Sequence, residues 1–509
     1  MKKKSFTNAQ YRETKIQEHQ NNPLITALPN YIEPGRLKQL LKFIPAIPNT
    51  EFMDKSDRIK LVKRIRKINI PTKKFIDFYS AIYNLIIVGY EERNPLDSDV
   101  VQFHYDIADP TISVADLKAQ GKVIECDEDT TTEHLFLAGI SGIGKTAIKN
   151  SVFKSLLPGV LVHTRDDFDE IQVISIHAQM PHDGSRATLL KNLFEALDNA
   201  LKPVEETNYL EQVQPKLDRS ASIGAMERFF KSLCLKYHIG IIVIDEFQNI
   251  DVASSDNKNH MRQLFDTMSN DLNVPFLKIG TSDSLKHFKT KFQHGRRAGD
   301  TIEIESYPRV PNYPKLDREK NKRVYSLGKD WNHLAESVFD FQVIKKPVAY
   351  SERWDLELHK LTCGIPYVLF TLWQEAQIDA IRTGKETITL RQLNEVYRRR
   401  FKLIKTALTA LKTKRLGQFQ DLLTIAQLFD KNEVDAAIKR LNHFVNSENF
   451  SGAAATDILK SVDEIERENS FTAQQKSKTN QLRSLLKQRS RAVKAGQTYE
   501  NEAKQDASN

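Results

Sequence analysis

The octapeptide GISGIGKT, residues 139–146, constrains this chain more than any other stretch. It follows an apolar run of strand length, EHLFLA (133–138), and opens a helix-forming stretch, KTAIKNSVFKSLL (145–157). Strand, glycine-rich loop and helix in that order make the pattern GxxxxGK(S/T) a phosphate-binding loop rather than a chance turn. Gly139, Gly142 and Gly144 let the backbone curl so that successive N–H groups face phosphate oxygens. The helix starting near Lys145 adds the positive end of its dipole. The predicted cradle is Gly139, Ile140, Ser141, Gly142, Ile143, Gly144, Lys145, Thr146 and Ala147. Lys145 supplies a point charge to the phosphates, and the Thr146 hydroxyl is a ligand for Mg2+.

One hundred residues after Lys145 comes IIVIDE (241–246), four apolar residues ending in two carboxylates. That pattern predicts a buried central strand with acids at its C-terminal edge, where ligands sit in open α/β sheets. In isolation such an end reads as two solvated acids. Beside a phosphate loop, Asp245 is placed to hold the Mg2+ shell and Glu246 to orient or deprotonate the attacking water. A third apolar run, VPFLKIGT (274–281), ends in Thr281, with Ser282 next to it. Either hydroxyl suits a contact to the γ-phosphate or the water, although a strand-end threonine is more often a simple cap. About fifteen residues further on, QHGRRAGD (293–300) carries Arg296 and Arg297 between glycines. Their place after the third strand suits an arginine supplied in trans to a neighbouring subunit's γ-phosphate. A surface pair or a nucleic-acid contact is the plainer alternative.

Apolar runs of strand length, including IQVISIHA (171–178), alternate with amphipathic stretches from about 85 to 285. This predicts an α/β fold, a parallel sheet flanked by helices on both faces. The expected organisation is a helical N-terminal region (1–84), the core (85–304) and a proline- and charge-rich linker (305–330). An all-helical unit (331–412) and a polar, partly disordered extension (413–509) complete it. With 509 residues, several units are expected. Cys126, Cys234 and Cys363 stand far apart without CxxC pairing, which argues against a zinc site or disulfide framework and for a reducing, cytoplasmic setting. The basic start MKKKSFTNAQ has no apolar segment behind it, and no run approaches a membrane span of ~20 residues, so neither export nor membrane insertion is expected. A net charge of +9 permits a polyanion partner. Two basic runs, KSDRIKLVKRIRKI (55–68) and YRRRFKLIKTALTALKTKR (397–415), have amphipathic helical spacing, although each also suits a solvated helix face.

Beyond the nucleotide motifs, the chain resembles the TnsC group, AAA+ ATPase regulators of bacterial DNA transposition. The resemblance runs over roughly residues 10–410. It is carried by YRETKIQEHQNNPLITALP (11–29), GYEERNP (89–95), GISGIGKT, GIIVIDEFQNI, VPFLKIGTSDSLKHF, the GRRAG turn and LTCGIPYVLFTLWQEAQ (361–377). It implies a P-loop AAA+ core with a helical lid that assembles as a ring or filament on duplex DNA. It also implies transposase subunits and a target-selector protein as partners, with transposase docking on the C-terminal tail. GYEERNP is implied to lie near the adenine. The lid segment CGIPYVLF lacks the arginine that many AAA+ proteins place there. Inward loops at QMPHDGSR (179–186) and DRSASIG (218–224) put Arg186 and Arg219 forward as phosphate contacts to DNA, giving sequence-independent, salt-sensitive binding. Two other readings fit the nucleotide motifs: an NTPase switch binding protein partners without DNA, and a replication initiator or helicase loader.

Overall fold

The computed structural model describes residues 6–108, 134–217, 223–252, 255–284, 300–310, 316–317, 322–323, 329–402 and 404–413, with five positions between 477 and 484. The chain divides into two compact units, Met1–Leu403 and Ile404–Asn509. In the second, Lys405–Thr413 is helical.

The centre of the first unit is a five-stranded sheet built from β2 (His134–Gly139), β5 (Ser175–Gln179), β6 (Ile241–Asp245), β7 (Phe276–Gly280) and β8 (Asp300–Ile304). Its order is β5-β6-β7-β2-β8, and every pairing is parallel. Burial on both faces explains the near-continuous apolar runs, because a covered parallel sheet has no solvent side to alternate towards. All residues of β2 and β7 are buried, and β6 is buried up to Asp245. The inserted position of β7 sets the strand end at Thr281 between the phosphate loop after β2 and the acids after β6.

Strand β8 was not legible as an apolar run: two of the five residues of DTIEI are charged, and it pairs only with β2, at the sheet edge. A smaller sheet joins β1 (Phe6–Asn8) parallel to β3 (Val160–Val162), with β4 (Ile171–Val173) antiparallel to β3. The N-terminal region is therefore not wholly helical. Its first strand finds a partner about 150 residues away, and no local periodicity signals such a pairing.

Four helices, Asp330–Asp340, Glu352–Thr362, Pro366–Thr383 and Leu390–Arg400, form an all-helical part of the first unit, the lid. Their core stacks Phe339 on Trp373 with ring centroids 4.4 Å apart, beside Trp354, and the buried Trp331 packs edge-on against His359. The buried Asp355 carboxylate accepts from Arg309 Nε (2.6 Å), Tyr350 Oη (2.7 Å), Trp331 Nε1 (3.1 Å) and Asn332 Nδ2 (3.2 Å). A buried carboxylate is tolerated because its lone pairs are filled. Residues 305–310, the start of the expected linker, are pinned to the lid through Arg309 and the Tyr307 N–H, which donates to the Gly364 carbonyl (3.1 Å).

The N-terminal segment also grips the lid. Asp54 caps the helix Lys55–Val62, and that helix buries Arg58. The guanidinium of Arg58 makes a bidentate pair with Glu386, both bonds 2.6 Å. The basic run 55–68 is thus partly consumed inside the molecule. In the second run, Arg399 pairs with Asp379 (2.7 Å), while Arg398 and Arg400 are exposed. Among the described residues no helix is long and apolar enough to cross a membrane.

Candidate nucleotide site

The loop after β2 curls as its glycines predict. Gly142 and Gly144 have φ of +79° and +113°, conformations that L side chains rarely adopt. Gly144 caps the helix Lys145–Ser151, so the helix starts with its N–H groups facing the loop. Lys145 folds back, its Nζ donating to the carbonyls of Gly139 (2.7 Å) and Ile140 (3.3 Å). Burial pushes its pKa down, against the pull of Glu246 and Asp245. A partly desolvated ammonium held only by carbonyls is poised to take anionic oxygens instead.

At the end of β6, Asp245 and Glu246 point to different tasks. Asp245 pairs with Lys149, one turn after Lys145 on the loop helix, and its Oδ1 accepts the Glu246 N–H (2.9 Å). Glu246 has φ +55°, an uncommon conformation for a non-glycine residue that costs about 1–3 kcal/mol. The Asn249 N–H, donating to the Glu246 carbonyl (2.9 Å), holds that turn. The Glu246 side chain is exposed and accepts from Gln248 Nε2. The strained turn swings this carboxylate off the strand direction and into the cleft. Ser282 and Thr281 are now distinguished: Ser282 is buried and donates to Glu303 of β8 (2.7 Å), whereas Thr281 lines the cleft.

The cleft has a volume of about 430 Å3 and is lined by loop residues Ser141–Ile148, by Asp245 and Glu246, and by Gly280 and Thr281. Sequence reasoning missed its other walls. Residues 66 and 68–72 with Phe75, from the N-terminal segment, form one; Leu334, Tyr367 and Phe370, from the lid, form another. The Tyr367 N–H donates to the Gly142 carbonyl (3.1 Å), tying the lid helix to the loop. The only hint in the sequence was Pro366 opening a helix next to the loop's apolar partners, a signal too common to interpret. Polar groups at one end and apolar walls at the other suit a nucleotide: phosphates on the loop and a base between Ile68, Pro71, Phe75 and Phe370.

The residues of GYEERNP, expected near the adenine, do not line this cleft. Tyr90 Oη donates to the His238 carbonyl (2.8 Å), and Arg93 Nη1 to the Ile239 carbonyl (2.8 Å). Both are buried at the N-terminal end of β6, a strand length of roughly 15 Å from Asp245. They brace the base of the sheet.

Arg186 opens the helix Arg186–Leu201 and pairs with Glu227 at 3.7 Å. Arg219, Arg296 and Arg297 lie outside the described residues, as does nearly all of the C-terminal extension. Among the described residues no group of three or more His, Cys, Asp or Glu side chains is arranged to hold a metal ion. Thr146 with Asp245 would supply a hydroxyl and a carboxylate on the same side of the loop, a hard-oxygen donor set that fits Mg2+ sharing phosphate oxygens.

A family model described as an AAA domain matches residues 128–288. No curated protein matches the sequence. Among solved structures the chain is similar to the Walker-type ATPase paby2304 of Pyrococcus abyssi, with 12% identity over 69% of this chain and 84% of that one and a TM-score of 0.34. It is also similar to the Aeropyrum pernix ORC2 protein in ADPNP–ADP complexes (10%, 60% and 67%, TM-score 0.33). A third is the Thermotoga maritima RuvB Holliday junction branch migration motor (13%, 67% and 76%, TM-score 0.27).

Proposed function

From an AAA+ P-loop domain whose loop, acidic strand end and polar strand end meet in one cleft, we propose that this chain hydrolyses ATP and regulates DNA transposition in the manner of the TnsC group. The observation that carries the catalytic half is the convergence of Lys145, Thr146, Asp245, Glu246 and Thr281 on that cleft. The transposition half rests on the flanking motifs, YRETKIQEHQNNPLITALP and LTCGIPYVLFTLWQEAQ above all, which the nucleotide motifs do not supply.

In the reaction, Lys145 exchanges the Gly139 and Ile140 carbonyls for phosphate oxygens, and loop N–H groups share the load. Thr146 and Asp245 would hold Mg2+, Asp245 exchanging its Lys149 partner for the ion, which would supply positive charge beside the phosphates. Glu246 orients the attacking water and takes its proton, steadied by Gln248. Thr281 hydrogen-bonds the γ-phosphate from between the two. Arg296 and Arg297 reach the γ-phosphate of a neighbouring subunit, so turnover depends on assembly into a ring or filament. Arg186 and Arg219 meet DNA phosphates, and residues 413–509 dock transposase subunits. The segment 1–84 contacts the target selector or the DNA.

The test is ATP turnover and particle size for the purified protein, with and without duplex DNA, at low salt. DNA-stimulated turnover, with ATP-dependent rings or filaments on the duplex, is expected. Turnover indifferent to DNA at every salt concentration would replace this reading with that of a protein-binding NTPase switch.

A further inference from the structure

The structure assigns to Arg66, on the N-terminal segment, a contact to the terminal phosphate of the nucleotide bound by its own subunit. This rests on the reading of the cleft as a nucleotide site. The lid helix Pro366–Thr383 begins against the phosphate loop, through the Tyr367 N–H to Gly142 carbonyl bond, yet its first turns carry no cationic side chain. A charge arrives from another part of the chain. The tight turn Lys63–Lys67 lays Arg66 along that lid helix: Nε donates to Gln374 Oε1 (3.0 Å) and Nη2 to Thr371 Oγ1 (3.1 Å). Its guanidinium carbon lies 5.8 Å from the centroid of the Tyr367 ring. From there it lines the same cleft as Lys145, Glu246 and Thr281.

The nature of those partners matters more than their number. All three are neutral, and among the described residues no carboxylate pairs with Arg66. Arg58, on the helix just before, shows the contrast: Glu386 discharges it with a bidentate pair. Neutral partners fix the direction of a guanidinium and leave its charge uncompensated. The two bonds also use Nε and Nη2, leaving Nη1 for another acceptor. A planar cation held in this way, exposed at the rim of a phosphate cradle, suits a polyphosphate better than a structural ion pair. Because the same side chain is tied to Thr371 and Gln374, a phosphate that engages it also joins the N-terminal segment, the lid and the loop. ATP then fastens the three together, and ADP, one phosphate shorter, does not.

The experiment measures ATPγS and ADP affinity of the full chain with Mg2+ and without DNA, for the wild type, Arg66→Gln and Arg66→Lys, with Lys145→Ala alongside. Arg66→Gln is expected to weaken ATPγS binding about tenfold to a hundredfold, the usual cost of a charge-assisted hydrogen bond, while ADP changes less than about threefold. Arg66→Lys, which keeps the charge and loses the fork, falls between. Equal losses for the two nucleotides would mean that Arg66 only clamps the lid, and no loss for either would mean that it does not reach the phosphates. Both results overturn the assignment. If Lys145→Ala also retains full affinity, the cleft itself is not the nucleotide site, and that failure is distinct from a failure at Arg66.

Discussion

Glu386→Gln tests how the N-terminal segment and the lid are held together. Glu386 receives two 2.6 Å bonds from Arg58, and its Oε2 also accepts the Lys345 N–H (3.2 Å). The side chains are 2% (Arg58) and 13% (Glu386) exposed, so solvent screens the pair little. Glutamine keeps the shape but leaves the guanidinium buried beside a neutral amide. Removing one member of a buried pair costs about 3–5 kcal/mol, mostly as the uncompensated charge. For a unit of this size each kcal/mol lowers Tm by about 1–2 °C, so calorimetry at pH 7 should show a fall of about 3–10 °C. Arg58→Met should cost less, because the carboxylate left behind can protonate. The double variant should be more stable than the sum of the two losses implies. The pH dependence has a definite sign. The Arg58 bonds hold the Glu386 carboxyl below its ordinary value of 4.5, with burial opposing them. A lowered folded-state pKa contributes stability above 4.5 that is lost as pH falls through the folded value. The gap between wild type and Glu386→Gln should therefore be full at pH 7 and close in that acid window. A Tm change under about 1 °C at pH 7, or a gap independent of pH down to 3, would refute the reasoning.

Lys145→Ala should abolish ATP binding measured by titration calorimetry, since it removes the loop's cation; retained affinity would sink the phosphate-loop reading. Glu246→Gln should bind ATP and stop turning it over, trapping an ATP-bound assembly visible by light scattering, and normal turnover would remove Glu246 as the base. Arg296→Ala combined with Arg297→Ala should leave ATP affinity of the monomer nearly intact while hydrolysis collapses. Lost binding would place those arginines in cis. Gly142→Ala should weaken both nucleotide binding and lid attachment, because its φ is +79° and the new Cβ would lie 2.9 Å from Cβ of Tyr367. Unchanged ATP affinity in that variant would show that the lid contact is dispensable.

The sequence alone determined those parts of the molecule whose signal is local. The loop GISGIGKT, the buried run IIVID ending in acids, and the run VPFLKIGT each reveal their structure within eight residues, since strand burial and loop curvature depend on neighbouring side chains and glycines. The four lid helices followed from their periodicity for the same reason. The choice between Thr281 and Ser282 needed β8, whose Glu303 takes the second hydroxyl and whose charged sequence hid it as a strand. The walls of the cleft were also out of reach: residues 66–75 and 366–370 lie almost 300 positions apart and meet only because the Arg58–Glu386 and Arg66–Gln374 bonds bring the N-terminal segment onto the lid. GYEERNP was placed near the adenine by the family resemblance alone, whereas tertiary packing buries Tyr90 and Arg93 under the far end of β6 to satisfy backbone carbonyls. Residue type and spacing therefore marked out the glycine loop, the acidic strand end and the polar strand end that meet in the cleft. Which distant segments close over them depended on long-range packing, because the bonds that join those segments leave no period in the chain.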